Sequence, residues 1–398
     1  MRINASVLSI IGLLLMIASL IPFFGLSQFD SQPFPLFFAI IFIILLKNNY
    51  KFIWPNKNLI YYLFCVVTGC FFACLADNQF SILTVRACAG YLSIFLYYIA
   101  FENYIRNFGF PIKIFQAFIL LWILVGIYQL VDPTFGSSFI AQRTTASRGV
   151  TSLAPEPTHF GIFLFFSSWL ILLSKNYRID IVSLIIIIIA ILAIIFLAQS
   201  TMTLLYLMFS LSLFFIYLFI IKKYTILFLF LSVLATILIP VGIDFNDSNR
   251  ILMLATSLLS GNFNVLLTDS SSFSRFSDIL FPLVALFKNN LLPGGFSSFG
   301  KQFYTFFTLV FVPQFTQGKK IMSWTLSMWY ELGFFGILAW FFLLRMQLKN
   351  VSYRSFFENL FLFLIFLSAI PALFPLPIMA MLLINNNKEM KSNEKNSI

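Results

Sequence analysis

The residues of this chain that could do chemistry are few, and they gather in three segments. The first segment, residues 148–161, contains the single histidine of the chain. Glu156 and His159 are three residues apart, so at a helix start they share one face. With nearby arginines they could form an acid–base and anion-binding group. The alternative is a charged helix cap, because Pro157 suits a first helical turn and Glu156 complements the helix dipole.

The second segment, residues 268–300, combines a Ser-rich stretch with a Gly-rich loop. Asp269 or a neighbouring serine could cap a helix that follows. Arg275 would then lie near the helix start, where the dipole disfavours a cation, and this misfit indicates an anion nearby. The loop at Gly294 and Gly295 could let backbone amides approach an oxyanion, although an ordinary turn is the simpler interpretation.

The third segment, residues 323–336, is predicted to form part of one continuous helix over 321–345. Glu331 would lie in the middle of that helix, where a buried carboxylate needs a partner or a proton. We interpret it as a helix-packing site in preference to a catalytic residue, because two glycines follow it and allow close approach. Trp324 suits a membrane interface. The weaker candidates for binding a glycan are Asp269, Gly294, Gly295, Trp324 and Tyr330.

Membrane helices must position these segments. The chain has 398 residues, of which 60% are apolar and 10% are charged, against about 25% charged in soluble proteins. A globular domain has too little buried volume for so much apolar surface. Composition therefore excludes a soluble enzyme, a disordered chain and a nucleic-acid-binding module. It predicts an all-α polytopic membrane protein, because lipid-exposed backbone must satisfy its own hydrogen bonds.

The net charge of +11 comes from 25 Lys and Arg against 14 Asp and Glu. Sixteen of the 25 basic residues fall on one side if the N-terminus is cytoplasmic, as the positive-inside rule requires. We predict about twelve spans in a single transmembrane domain over 1–398, or eleven if the Pro-interrupted run 356–384 crosses once. Outer loops are predicted at 132–155 and, between the ninth and tenth helices, at 243–320, the second with short helices. Residues 385–398 would form a cytoplasmic tail.

The other nine basic residues face outward in this topology, and they suit an anionic lipid-linked substrate such as a polyprenyl diphosphate. They are Arg86, Arg143, Arg148, Arg250, Arg275, Lys288, Lys301, Lys319 and Lys320. The sequence has no Asp-x-Asp pair, so we expect chemistry without a metal. Cys70 and Cys74 are one helical turn apart, but no histidine or carboxylate in their segment completes a metal site, which favours a packing role.

The three segments, in this order, resemble the O-antigen polymerase (Wzy) family and the related O-antigen ligases. The family pattern has an Arg before Glu-Pro-Ser/Thr, then Ser-rich sequence with an Arg, then Pro and paired Gly, and finally Glu-Leu-Gly-x-x-Gly. The matching positions are Arg148, Glu156 to Thr158, Ser270 to Arg275, Pro293 to Gly295, and Glu331 to Gly336. The resemblance covers about residues 140–340.

This resemblance implies a GT-C-like membrane glycosyltransferase of the bacterial inner membrane with a periplasmic active site. It would transfer the growing glycan from undecaprenyl diphosphate to a hydroxyl of the incoming repeat unit, with inversion and without a cofactor. Glu156 or His159 would be the base. Membrane lipid and a chain-length-regulating co-polymerase are the expected partners. The residues expected to hold the diphosphate are Arg148, Arg275, Arg86 and Arg143.

The sequence departs from the family at two places. The stretch 199–202, Gln-Ser-Thr-Met, lacks an arginine that often follows a bend there. Residues 322–323 stand where the ligases have a His-Asn pair, so the catalytic histidine of a ligase is missing and a polymerase is favoured. A ligase, and a flippase for lipid-linked oligosaccharides, are the alternatives.

Overall fold

The structure is a computed structural model that describes residues 5–23, 33–49, 52–77, 82–140, 142, 149–220, 270–296, 298–299, 321, 323–349, 351–368 and 374–396. These residues form thirteen α-helices and no strand. The helices are α1 (Ala5–Leu20), α2 (Phe34–Asn49), α3 (Lys57–Asp77), α4 (Ile82–Phe108), α5 (Ile112–Tyr128), α6 (Pro157–Ser174), α7 (Ile181–Ala193), α8 (Thr201–Ile220), α9 (Ser270–Lys288), α10 (Trp324–Leu332), α11 (Phe334–Gln347), α12 (Tyr353–Phe366) and α13 (Leu376–Asn396).

Five of the described helices are long and apolar enough to cross a membrane: α3, most of α4, α6, α7 with the π-helical turn that follows it, and α8. Large apolar side chains on their surfaces are exposed, among them Phe64 on α3 and Phe196 beside α7. Such faces require lipid as their solvent, so the helices indicate a membrane-embedded protein. Twelve spans remain a prediction, since 221–269 and 300–320 lie outside the described residues.

The run 321–345 forms two helices, not the single helix that its composition predicts. Gly333 separates α10 from α11 with φ 60° and ψ −139°. The rings of Trp324 and Trp340 lie 5.6 Å apart, whereas sixteen residues of straight helix would separate them by about 24 Å. α10 and α11 therefore fold back on each other as a tight hairpin. The Pro-interrupted run at the C-terminus also forms two helices, α12 and α13.

The hairpin is recessed from the end of the bundle where α3 ends and α6 begins, which we call the upper end. α11 runs antiparallel to α3, with Phe335 stacked on Phe72 and Tyr61 beside Phe342. Gly69 meets Leu332 and Phe335. Gly333 is thus level with residues 69–72 of α3, about one and a half to two turns below Asp77 at the end of that helix.

The apolar half of α13, residues 376–384, is buried throughout and packs against both α4 and α6. Phe374, just before α13, stacks on Phe23 at the upper end of α1. At the opposite, lower end, Asn387 donates a hydrogen bond to the carbonyl of Leu173 near the end of α6. α13 therefore crosses the bundle and separates α4 from α6.

Candidate functional site

The side chain of Glu331 is hydrogen-bonded to a residue of α4. The hydroxyl of Tyr91 lies 2.7 Å from Glu331 Oε2 and donates to it, and it lies 3.1 Å from Ser327 Oγ. Tyr91 is buried, whereas Glu331 is partly exposed. Ser323 caps the start of α10, so Glu331 falls in the last turn of a nine-residue helix. The predicted mid-helix position is wrong, because the helix ends two residues later at Gly333.

The Gly-rich loop lies directly against the end of this helix. The amide of Gly294 donates to the carbonyl of Tyr330 at 2.9 Å, and the amide of Gly295 donates to the carbonyl of Glu331 at 3.4 Å. The last carbonyls of a helix have no partner within the helix, and these amides satisfy two of them. The amides of Gly294 and Gly295 therefore cap α10 and are not directed at an oxyanion, which was the less favoured of the two interpretations of this loop.

Asp77, at the end of α3, forms a hydrogen bond to the other side of the same loop. Its Oδ2 accepts a hydrogen bond of 2.9 Å from the amide of Phe296. Gly295 has φ 86°, and a Cβ added there would lie 2.6 Å from Asp77 Oδ1. Ser298 and Tyr330 join their hydroxyls at 2.9 Å on the opposite flank. The loop is thus clamped between the end of α3 and the end of α10.

We expect Asp77→Ala to loosen this clamp. The substitution leaves the part-buried amide of Phe296 without its acceptor, at a cost of about 1–3 kcal/mol, while Asp77→Asn retains an acceptor oxygen and should cost less than half as much. Asp132→Ala is the matched control, because the Asp132 carboxylate accepts hydrogen bonds from its near neighbour Thr134 within an exposed turn. Thermal unfolding of the purified variants in detergent measures the difference. Equal melting temperatures for Asp77→Ala and Asp132→Ala would contradict the role of Asp77.

The two aromatic residues predicted to bind glycan are packing residues. Trp324 is 5% exposed and its ring lies against Phe366 and Trp340. Tyr330 is 1% exposed and packs against Phe299. Neither ring offers a face on which a sugar could stack.

Three cysteines lie beside the Glu331 cluster. Cys70 and Cys74 on α3 interact with Cys88 on α4, which the sequence did not associate with them. All four cysteines of the chain are free thiols. In the described part of the chain, no group of three or more His, Cys, Asp or Glu side chains is arranged to hold a metal ion.

Glu156 and His159 begin α6 in a second cluster at the upper end. Glu156 is the N-cap residue, and Pro157 takes the first helical position, as its residue type predicts. The ring of His159 stacks on Phe23 with centroids 5.1 Å apart. Gln129 fixes the loop that leads to Glu156, since its Oε1 accepts from the amide of Ser152 at 2.6 Å.

The structure brings together two of the three predicted segments. The Gly-rich loop and the Glu331 helix form one cluster, and the start of α6 forms another on the far side of α13. Arg86 is partly exposed and lies near the start of α4, two residues before Cys88. Three further predicted positions lie outside the described residues: Arg143, Arg148 and Asp269. Arg275 lies on α9, which packs against α10.

Sequence reasoning missed Tyr91, Asp77 and Ser298 as members of the first cluster. Tyr91 is one of 15 tyrosines in an aromatic-rich chain, so its residue type carries no signal. Asp77 could have been suspected, because it is a carboxylate at the end of an apolar run where few carboxylates occur.

Comparison of the sequence with protein-family models, with characterised proteins and with solved structures finds no match. Function is therefore inferred from the residues and their positions.

Proposed function

We propose that this chain is a membrane glycosyltransferase that polymerises undecaprenyl-diphosphate-linked repeat units into O-antigen or a related surface polysaccharide. The supporting observation is the convergence of the Glu331 carboxylate, the Tyr91 hydroxyl and the Gly-rich loop near one end of an apolar helical bundle. Glu331 and the Gly-rich loop belong to two of the segments that resemble the polymerase family, and Tyr91 lies on α4, outside those segments. A partly exposed carboxylate recessed below the upper end of the bundle suits a lipid-linked acceptor, because ionisable groups within membrane-spanning segments are costly to keep without a function.

The proposed topology has both termini in the cytoplasm, about twelve spans, a GT-C-like architecture and a periplasmic active site. Two geometric features support it. Phe23, which follows α1, and Phe374, which precedes α13, meet at the upper end, so α1 begins and α13 ends at the lower end. The lower end also carries Arg106 and Arg354, paired with Glu102 and Glu358, which agrees with a cytoplasmic face.

Extension of a synthetic undecaprenyl-diphosphate repeat unit by the purified protein in liposomes tests the proposal. We expect a ladder of longer glycans from substrate that already faces outward, and the same ladder in the presence of a chelator. A flippase would not lengthen glycan in this assay, and a ligase would transfer glycan only to an added lipid A–core acceptor. Absence of lengthening would contradict the proposed polymerase function. A ladder that the chelator abolishes would contradict the metal-free mechanism.

A further inference from the structure

Three of the four cysteines lie together where α3 and α4 meet near the upper end. α3 ends and α4 begins at that end, and only residues 78–81 join the two helices. At a rise of about 1.5 Å per residue, Cys74 lies about 4.5 Å and Cys70 about 10.5 Å below the end of α3. Cys88 lies about 9 Å below the start of α4. Cys88 is therefore at a level between the two cysteines of α3.

The thiol of Cys88 is in hydrogen-bond contact with the thiols of both Cys70 and Cys74. A disulfide joins two sulfur atoms at about 2.05 Å, so thiols that already touch across two helices need only a small side-chain movement to form one. A structural metal site needs more than two ligands, and no such group is arranged for a metal among the described residues. The contact therefore suits oxidation of a pair of thiols.

Exposure distinguishes the two thiols that touch Cys88. Cys74 is partly exposed, as is Cys88, whereas Cys70 is 7% exposed. Cys74 is also within one helical turn of the end of α3, close to the membrane surface. Thiol–disulfide exchange requires access of the oxidant to the attacking sulfur. Cys74 and Cys88 are therefore the pair that an oxidant reaches.

We propose that Cys74 and Cys88 are a covalent modification site that forms a disulfide between α3 and α4, independently of any polymerase activity. The thiolate of one cysteine attacks a disulfide of the oxidant, forms a mixed disulfide and releases one thiol. The thiolate of the other cysteine attacks the mixed disulfide and releases the second thiol. The two cysteines lose two electrons and two protons, and the oxidant's disulfide becomes two thiols. In cells the oxidant would be a dithiol–disulfide exchange protein.

The bond would act on the neighbouring Glu331 cluster through α4. Tyr91 follows Cys88 by three residues and so shares its face of the helix, and the Tyr91 hydroxyl donates to Glu331. The carbonyl of Tyr91 accepts a hydrogen bond of 2.7 Å from the hydroxyl of Tyr62 on α3. A disulfide would add a covalent link to this hydrogen bond and hold the segment that carries Tyr91 against α3.

Oxidation of the purified full-length protein in detergent tests the proposal. Oxidised glutathione should lower the number of maleimide-reactive thiols from four to two, and proteolysis with mass spectrometry should recover a peptide that joins Cys74 to Cys88. Dithiothreitol should reverse both results. A protein that keeps four reactive thiols, or a recovered cross-link that includes Cys70, would overturn the assignment. The readout uses no glycan substrate, so failure of the polymerase function would leave it unchanged.

Serine variants separate oxidation from packing. Cys88→Ser should form no cross-link, and Cys70→Ser should cross-link at the wild-type rate. The matched control is Cys65→Ser, which should still lose two of its three thiols, because Cys65 is also buried on α3 but lies about 7.5 Å below Cys70. A cross-link that persists in Cys88→Ser would contradict the proposed pair.

Two further measurements test what the bond does. The cross-linked protein should melt about 5 °C above the reduced protein, because the disulfide closes a loop of about 15 residues. Equal melting temperatures would overturn the proposed link between α3 and α4. Alkylation of intact cells before extraction should recover the same peptide, because the proposed topology places the upper end in an oxidising compartment. Only reduced thiols in cells would overturn the modification as a native one.

Discussion

Gly333→Ala is expected to prevent the chain from accumulating as folded protein. Gly333 has φ 60° and ψ −139°, a conformation that costs a residue with a side chain about 1–3 kcal/mol. A Cβ there would lie 2.5 Å from the nitrogen of Pro293 and 2.6 Å from the carbonyl oxygen of Leu291. These are backbone atoms that cannot rotate away, and such overpacking adds about 1–3 kcal/mol. The sum is a large part of the roughly 5–15 kcal/mol that stabilises a protein.

Gly109→Ala provides the matched control. Gly109 also has a positive φ, of 80°, but nothing lies within 4 Å of the position its Cβ would take. The control therefore carries a cost for a side chain at positive φ, about 1–2 kcal/mol, without the steric cost. Yield of monodisperse protein and melting temperature in detergent measure both. If the two variants lose the same stability, the hairpin is not held together at Gly333 in the way described.

The helices could be predicted from sequence because lipid forces every long apolar run to satisfy its backbone internally. The break at Gly333 could not. Within an apolar run, Glu-Leu-Gly-x-x-Gly reads as a continuous helix with a small-residue face. The turn depends on the loop around Pro293. In this loop the carbonyl of Leu291 accepts a hydrogen bond from the amide of Phe334, and the amide of Gly294 donates one to the carbonyl of Tyr330. That contact is distant in sequence, and local pattern carries no information about it.

In the candidate site, too, residue types could be identified from the sequence, whereas the contacts between them could not. Residue types singled out Glu331, Gly294 and Gly295, since carboxylates and paired glycines are rare in apolar sequence, and favoured a packing role for Glu331 and an ordinary turn for the glycines. The pairing of Glu331 with Tyr91 joins residues 240 positions apart. The direction of the Gly294 amide depends on the carbonyl of Tyr330, which no sequence pattern specifies. The sequence thus indicated the participants and left open whether they bind a ligand or one another.

Under the proposed polymerase function, Arg275→Ala should lower kcat/KM for extension about 100- to 1,000-fold, which is the loss expected when a cation that stabilises charge developing on a leaving group is removed. Arg275 is carried by α9, which packs on the Glu331 helix and leads into the Gly-rich loop. A departing diphosphate needs a permanent, bidentate cation, which arginine provides.

Lys288→Ala is the matched control for this prediction, because Lys288 is an exposed cation in the last turn of the same helix. It should change kcat/KM less than twofold at physiological salt, where exposed charges are screened. Arg275→Lys should fall between alanine and wild type, since lysine retains the charge but loses the fork. Initial rates in liposomes and the length of surface glycan in cells report the effect. Equal losses in Arg275→Ala and Lys288→Ala would mean that net charge on α9, and not a diphosphate contact, governs activity.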